Sequence, residues 1–107
     1  MQNIEIELPK TADPSQAEQA IEATLAALGL EVALRGTLRK FSGCIHWHAR
    51  NPGQSGTLEV TLWPGPNRAW ITIQGGRTAG WIAEKLPEVR ATLRQRLANR
   101  PRANARR

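Results

Sequence analysis

Residues 57–74 have the sequence TLEVTLWPGPNRAWITIQ, and this stretch decides the fold. Leu58, Val60 and Leu62 alternate with polar residues, and the same period of two returns at Ile71 and Ile73 after a Pro-Gly-Pro-Asn turn. Such alternation is typical of strands that bury one face, and a short turn favours an antiparallel pair. The sequence therefore predicts a β-hairpin in an antiparallel sheet.

Three more strands are predicted upstream of this hairpin. Residues 31–38 alternate, with Leu34 expected on the apolar side, and a Ser-Gly turn at 42–43 leads into the candidate strand 44–49. Residues 3–8 alternate in the same way, which predicts an N-terminal strand. The expected sheet is thus a four-stranded antiparallel meander plus one N-terminal strand.

Two helices complete the predicted α+β fold. Asp13 and Pro14 form a strong helix start, because aspartate caps free N–H groups and proline suits the first helical position. This helix should run to about Leu28. A second apolar repeat, at spacings of three and four from Ile82 to Leu97, contains Pro87, which predicts a kink or a split. The expected order is β-α-β-β-β-β-α, with both helices packed on one face of the sheet.

The length of 107 residues suits one domain. We assign residues 1–98 to a single α+β domain and residues 99–107 to a basic, disordered tail, since the tail has no apolar anchor. The chain has one cysteine, which excludes an intrachain disulfide and suits a reducing compartment. No secretory signal or membrane span is recognisable, so a cytoplasmic location is expected.

Charge is distributed unevenly along the chain. Residues 1–31 carry six acids and one base, a net charge of −5, whereas residues 32–107 carry fourteen bases and three acids, a net charge of +11. The last eighteen residues contain seven arginines and no acid. This asymmetry favours an anionic partner such as RNA or DNA. The candidate contact residues are Arg39, Arg77, Arg90, Arg94, Arg96, Arg100 and Arg102. The alternative is a solvated helix end whose arginines complement the helix dipole.

The strand pattern also predicts a second, outer face of the sheet. We expect Val60 opposite Trp47 and Leu62 opposite Ile71, with Phe41 paired to Cys44 across the Ser-Gly turn. Trp47 is then buried. An aromatic patch lies on the outer face: Phe41, Trp63 and Trp70. Such a patch would serve as a dimer interface, stack nucleotide bases, or be covered by the second helix.

Cys44, His46 and His48 alternate along one strand, and Glu59 is expected opposite His48. Residues two apart on a strand are roughly 6.6 Å apart at Cα, so these three side chains are not expected to converge on one ion. We therefore assign no metal site and expect a hydrogen-bonded pair of His48 and Glu59. No nucleophile or phosphate-loop motif is present, which argues against an enzyme, and no cofactor is implied.

The sequence thus leads to two functional hypotheses. The first is a small binding domain for nucleic acid or another anionic partner, acting through the arginine-rich C-terminal helix and tail. The alternative is a homodimeric or adaptor interaction module that uses the aromatic outer face. Neither hypothesis involves a membrane.

Overall fold

The computed structural model describes residues 2–10, 13–77 and 79–98 of the chain. Its elements are β1 Gln2–Ile6, α1 Pro14–Ala27, β2 Glu31–Gly36, β3 Ile45–Arg50, β4 Leu58–Trp63, β5 Arg68–Ile73, a 3-10 turn Gly75–Arg77, and α2 Gly80–Ala98. The strands form one antiparallel sheet in the order β1-β5-β4-β3-β2. The predicted α+β class and element order are confirmed, and the N-terminal strand lies beside β5.

The first helix begins where its sequence predicts. The side chain of Asp13 accepts a hydrogen bond from the backbone N–H of Ser15 at 3.1 Å, and Pro14 is the first helical residue. Gly29 follows the helix with a φ of +77°, a left-handed conformation that glycine adopts without the steric cost of a Cβ atom. Local sequence chemistry therefore determines both ends of α1.

The second helix runs through Pro87 without a break, so the predicted split does not occur. Proline removes one backbone hydrogen bond, and the buried residues on both sides of it offset that cost: Trp81, Ile82, Val89, Leu93 and Leu97. Thr78, just before this helix, and the predicted tail from residue 99 lie outside the described residues. No helix in the described part of the chain has the length and apolar character that a bilayer crossing requires.

One hydrophobic core joins the sheet and both helices. Its helical members include Ile21 and Leu25 of α1 and Val89 and Leu93 of α2. Its strand members occupy alternate positions on their strands: Ile6, Trp47, Ala49, Leu58, Val60, Leu62, Ala69 and Ile71. We call the side of the sheet that carries these residues the core face, and the opposite side the outer face. The core thus contains residues from both helices and from alternate positions of the strands.

The central strand pairing is confirmed, whereas the pairing of β4 with β5 differs from the prediction. Trp47 lies opposite Val60 as expected, but Ile71 lies opposite Val60 and not opposite Leu62. The loop between β4 and β5 is shorter than the predicted pairing of Leu62 with Ile71 requires. The backbone N–H of Asn67 donates to the carbonyl of Pro64 at 2.9 Å, which closes a tight turn. A shift of two residues keeps every side chain on its face, so the predicted faces are still correct.

The second strand departs most from the prediction. It ends at Gly36, and a connecting segment of residues 37–44 replaces the expected two-residue hairpin. The register shifts between Val32 and Leu34, which places Leu34 opposite His48, and its exposed fraction is 53%. Leu34 was therefore assigned to the wrong face. The next residue, Arg35, forms ion pairs with Glu18 and Glu22 of α1, and these contacts favour the observed register.

Candidate functional site

The outer face of the sheet has an aromatic end and a histidine end. At the aromatic end Trp63 lies opposite Arg68. Two rows of cross-strand neighbours follow it: His46, Thr61, Trp70 and Glu5, and then His48, Glu59, Thr72 and Asn3. These rows bring together side chains that lie far apart in the sequence, as adjacent antiparallel strands do. They contain Trp70 of the predicted aromatic patch and both predicted histidines.

At the aromatic end, Phe41, Trp63 and Trp70 form an edge-to-face cluster. The ring of Phe41 lies 4.8 Å from that of Trp63 and 4.9 Å from that of Trp70, between centroids. The indole N–H of Trp63 donates to the backbone carbonyl of Ser42 at 2.9 Å, which ties the segment 37–44 to β4. Trp70 is only 5% exposed, whereas Phe41 and Trp63 are half-buried. The predicted patch is therefore a packed cluster, and Trp70 is inaccessible as a stacking surface.

At the histidine end, three ligand-type atoms converge. The Nε2 atom of His46 lies 3.2 Å from the Nε2 atom of His48 and 3.1 Å from Oε1 of Glu59. The distance from His48 Nε2 to the same carboxylate oxygen is 4.0 Å. The side chains of His46 and Glu59 are 7% and 5% exposed, and that of His48 is 20% exposed. The cluster is thus buried on the β4 side and accessible from the His48 side.

A contact through the Nδ1 atom also holds the ring of His46 in place. Its Nδ1 atom lies 2.7 Å from the hydroxyl of Thr61, directly across from it on β4. Burial is the main influence on the pKa of His46 and lowers it. The nearby Glu59 raises this pKa and His48 lowers it further, and the net direction is downward. A lowered pKa favours the neutral imidazole, which is the form that ligates metal ions.

The expected hydrogen-bonded pair of His48 and Glu59 requires correction. Glu59 lies opposite His48 in the strand register, as predicted, but its carboxylate is closer to His46. The two imidazoles also converge despite their strand spacing, because the rings lean toward each other. Cys44 is separate from them and buried, and its Sγ atom accepts the backbone N–H of Leu38 at 3.3 Å. The signal in the sequence is a His-x-His strand with an acid in register on its neighbour, and Cα spacing alone underestimates how closely such side chains approach.

The predicted arginines fall into several groups. Arg90, Arg94 and Arg96 are exposed on α2, and no described residue forms an ion pair with them. Arg39 is exposed in the segment 37–44, and Arg77 belongs to the 3-10 turn. The other two, Arg100 and Arg102, lie outside the described residues. The arginines on α2 are therefore the part of the predicted basic surface for which the fold shows exposed side chains.

Arg35 and Arg68 differ from the arginines of α2, because both form ion pairs. Arg35 pairs with Glu18 and Glu22, and Arg68 forms two hydrogen bonds to the carboxylate of Glu5, at 2.9 and 3.0 Å. The guanidinium of Arg68 also lies 4.8 Å from the centre of a Trp70 ring. Charge on the sheet is thus partly neutralised by neighbours, in contrast to the charge on α2.

No protein-family model matches this chain, and neither a curated protein nor a solved structure resembles it significantly. Function must therefore be inferred from the chemistry of the described surfaces. Two of these surfaces carry chemistry that packing alone does not require, namely the arginines of α2 and the histidine end of the outer face.

Proposed function

We propose that this chain is a small nucleic-acid-binding domain whose contact surface is the arginine-rich half of α2 together with the tail. The observation that supports this proposal is the exposure of Arg90, Arg94 and Arg96 without an ion-pair partner among the described residues. A guanidinium that is already paired must lose that partner to contact a phosphate, whereas these three need not.

The arrangement on the helix also suits a polyanion. Arg90 and Arg94 are four residues apart and therefore project from the same side of α2 on successive turns. The acids of this helix, Glu84 and Glu88, lie in its first half, so the positive charge is concentrated toward its C-terminal end. The four tail arginines that follow extend this charge along the sequence. Phosphate contacts of this kind supply affinity without sequence preference.

The dependence of binding on salt tests this proposal. Fluorescence anisotropy with labelled RNA and DNA should show affinity that falls steeply with salt. A log–log slope of about −3 to −4.5 is expected if four or five arginines reach phosphates. Replacing both Arg90 and Arg94 with glutamine should reduce the slope by about 1.4 to 1.8. Truncation after Leu97 removes Arg100, Arg102, Arg106 and Arg107 and should also flatten it.

A charge-matched control distinguishes local contacts from net charge. Replacing Arg35 and Arg68 with glutamine removes the same charge from residues that are already ion-paired. Exposed pairs contribute only about 0–1 kcal/mol each to stability, so this variant should fold. Its salt slope should match that of the parent protein. Equal slopes for the two double variants, or no binding at low salt, would refute the proposal.

The alternative hypothesis is a homodimeric or adaptor module that uses the outer face. Apolar surface on this face supports the alternative, since Phe41 and Trp63 are only half-buried and Leu34 is exposed. The burial of Trp70 within its own chain counts against a large aromatic interface. Sedimentation equilibrium separates the hypotheses, because a tight dimer that Leu34→Asp dissociates would favour the interaction module.

A further inference from the structure

We propose that His46, His48 and Glu59 bind one divalent transition-metal ion, of the class represented by Zn²⁺, on the outer face of the sheet. This site is independent of the proposed nucleic-acid surface on α2. The inference rests on the positions of three donor atoms, on a hydrogen bond that orients one of the donors, and on the accessibility of the site from one side.

The three donor atoms have the spacing that a bound ion requires. They form a triangle with sides of 3.1, 3.2 and 4.0 Å, whose corners all lie about 2.0 Å from a common centre. Typical zinc distances are about 2.0–2.1 Å to histidine nitrogen and about 2.0–2.2 Å to carboxylate oxygen. An ion at this centre would reach all three donors without a strand having to move, and tetrahedral geometry requires only that the side chains of His48 and Glu59 approach closer than their present 4.0 Å.

The chemistry of the donors supports a cation at this centre. Two imidazole nitrogens face each other at 3.2 Å, and a neutral imidazole has only one N–H to offer. The carboxylate of Glu59 adds negative charge in a place where water is largely excluded. A divalent ion accepts electron pairs from both nitrogens and from the oxygen at once.

The surrounding structure prepares the donors for binding. Thr61 contacts the Nδ1 atom of His46 at 2.7 Å, the type of contact by which proteins orient a ligating histidine toward a metal. All three ligands belong to the paired strands β3 and β4, whose register positions them without help from a loop. The folded sheet therefore already holds the ligands near one another, which lowers the entropy cost of assembling the site when the ion binds.

The set of ligands also predicts how the ion would be used. Three protein ligands leave at least one coordination position for water or an exogenous molecule, and His48 is the ligand nearest to solvent. Closed structural zinc sites have four protein ligands, whereas three ligands with an open position are typical of reactive sites. Two histidines and one carboxylate also form the ligand set of non-haem iron enzymes. The site is thus suited to bind or activate a small ligand.

Metal titration of the full, untagged chain tests the proposal. After chelator treatment and dialysis, calorimetry with Zn²⁺ and visible spectroscopy with Co²⁺ should show one ion per chain, and Zn²⁺ should raise the melting temperature. The chain contains two histidines, His46 and His48, so shifts of their ¹⁵N imidazole signals on Zn²⁺ addition report directly on this site.

Variants then assign the ligands. His48→Gln and Glu59→Gln should each weaken Zn²⁺ binding by more than about 100-fold, and Thr61→Val by about 10- to 100-fold. Cys44→Ser is the matched control and should leave affinity unchanged. Because His48 is the most exposed ligand, His48→Gln remains informative if the Glu59 variant fails to fold. No binding at roughly 0.1 mM Zn²⁺, or binding that a folded His48→Gln protein retains in full, would overturn the assignment.

Discussion

The two ends of the outer face meet on β4, and each contains side chains that are almost fully buried, yet their burial has different causes. Phe41, Trp63 and Trp70 bury large apolar rings against one another, and removing such rings from water is favourable in itself. His46 and Glu59 are buried to a similar degree, but burying ionisable groups is costly unless they gain partners. Packing therefore explains the aromatic end, whereas burial at the histidine end depends on polar partners such as the contacts of His46 with Thr61 and Glu59.

The largest predicted effect concerns the aromatic end. Trp70→Ala removes a side chain that is 5% exposed and leaves Phe41 and Trp63 without a common partner. We expect the free energy of unfolding to fall by about 3–5 kcal/mol, as for other buried aromatic truncations. Urea denaturation measures this loss. If the two ends act separately, the folded variant still gains stability on Zn²⁺ addition, and loss of that response would show that the ends are coupled.

An intermediate effect is predicted at the histidine end. Thr61→Val keeps the shape of the side chain but removes the hydroxyl beside His46 Nδ1. A buried polar atom without its partner costs about 1–3 kcal/mol, so the metal-free variant should be less stable by that amount. Thr72→Val, at a buried threonine that donates to Asn3, is the matched comparison on β5. Both variants should lose stability, but only Thr61→Val should weaken Zn²⁺ binding.

The smallest effect is predicted for Trp63→Phe. This change removes the indole N–H that donates to the Ser42 carbonyl but keeps an aromatic ring in the cluster. A loss of about 0.5–1.5 kcal/mol is expected, together with faster hydrogen exchange in the segment 37–44. Thermal melts and amide exchange measure the two effects. Unchanged exchange would mean that the hydrogen bond does not hold this segment to β4.

The sequence predicted which face each central strand buries, but it did not predict every register. Alternation identifies the sides of Val60 and Ile71, yet it is unchanged by a shift of two residues, so the tight turn at Pro64 decided the pairing. Leu34 was misplaced because β2 is an edge strand with a register irregularity, where tertiary ion pairs outweigh local alternation.

The candidate sites show the same difference between features that the sequence pattern predicts and features that depend on tertiary structure. The exposed arginines of α2 follow from their helical spacing relative to the buried positions, so sequence periodicity was enough to identify them. The histidine cluster did not follow from Cα spacing alone. Its formation depends on side-chain directions and on which carboxylate oxygen approaches His46, and both are determined only when β3 and β4 are paired.

The position of Arg35 has a consequence for the solution behaviour of the protein. β2 is a sheet edge whose Val32 and Leu34 are 40% and 53% exposed, a combination that invites another chain to add a strand and start a fibril. Arg35 follows Leu34 on this strand and is held to two α1 carboxylates, with its guanidinium 5.8 Å from a ring centre of Trp47. An incoming strand would have to pack against this fixed charge. We therefore expect Arg35 to protect the molecule against edge-to-edge polymerisation.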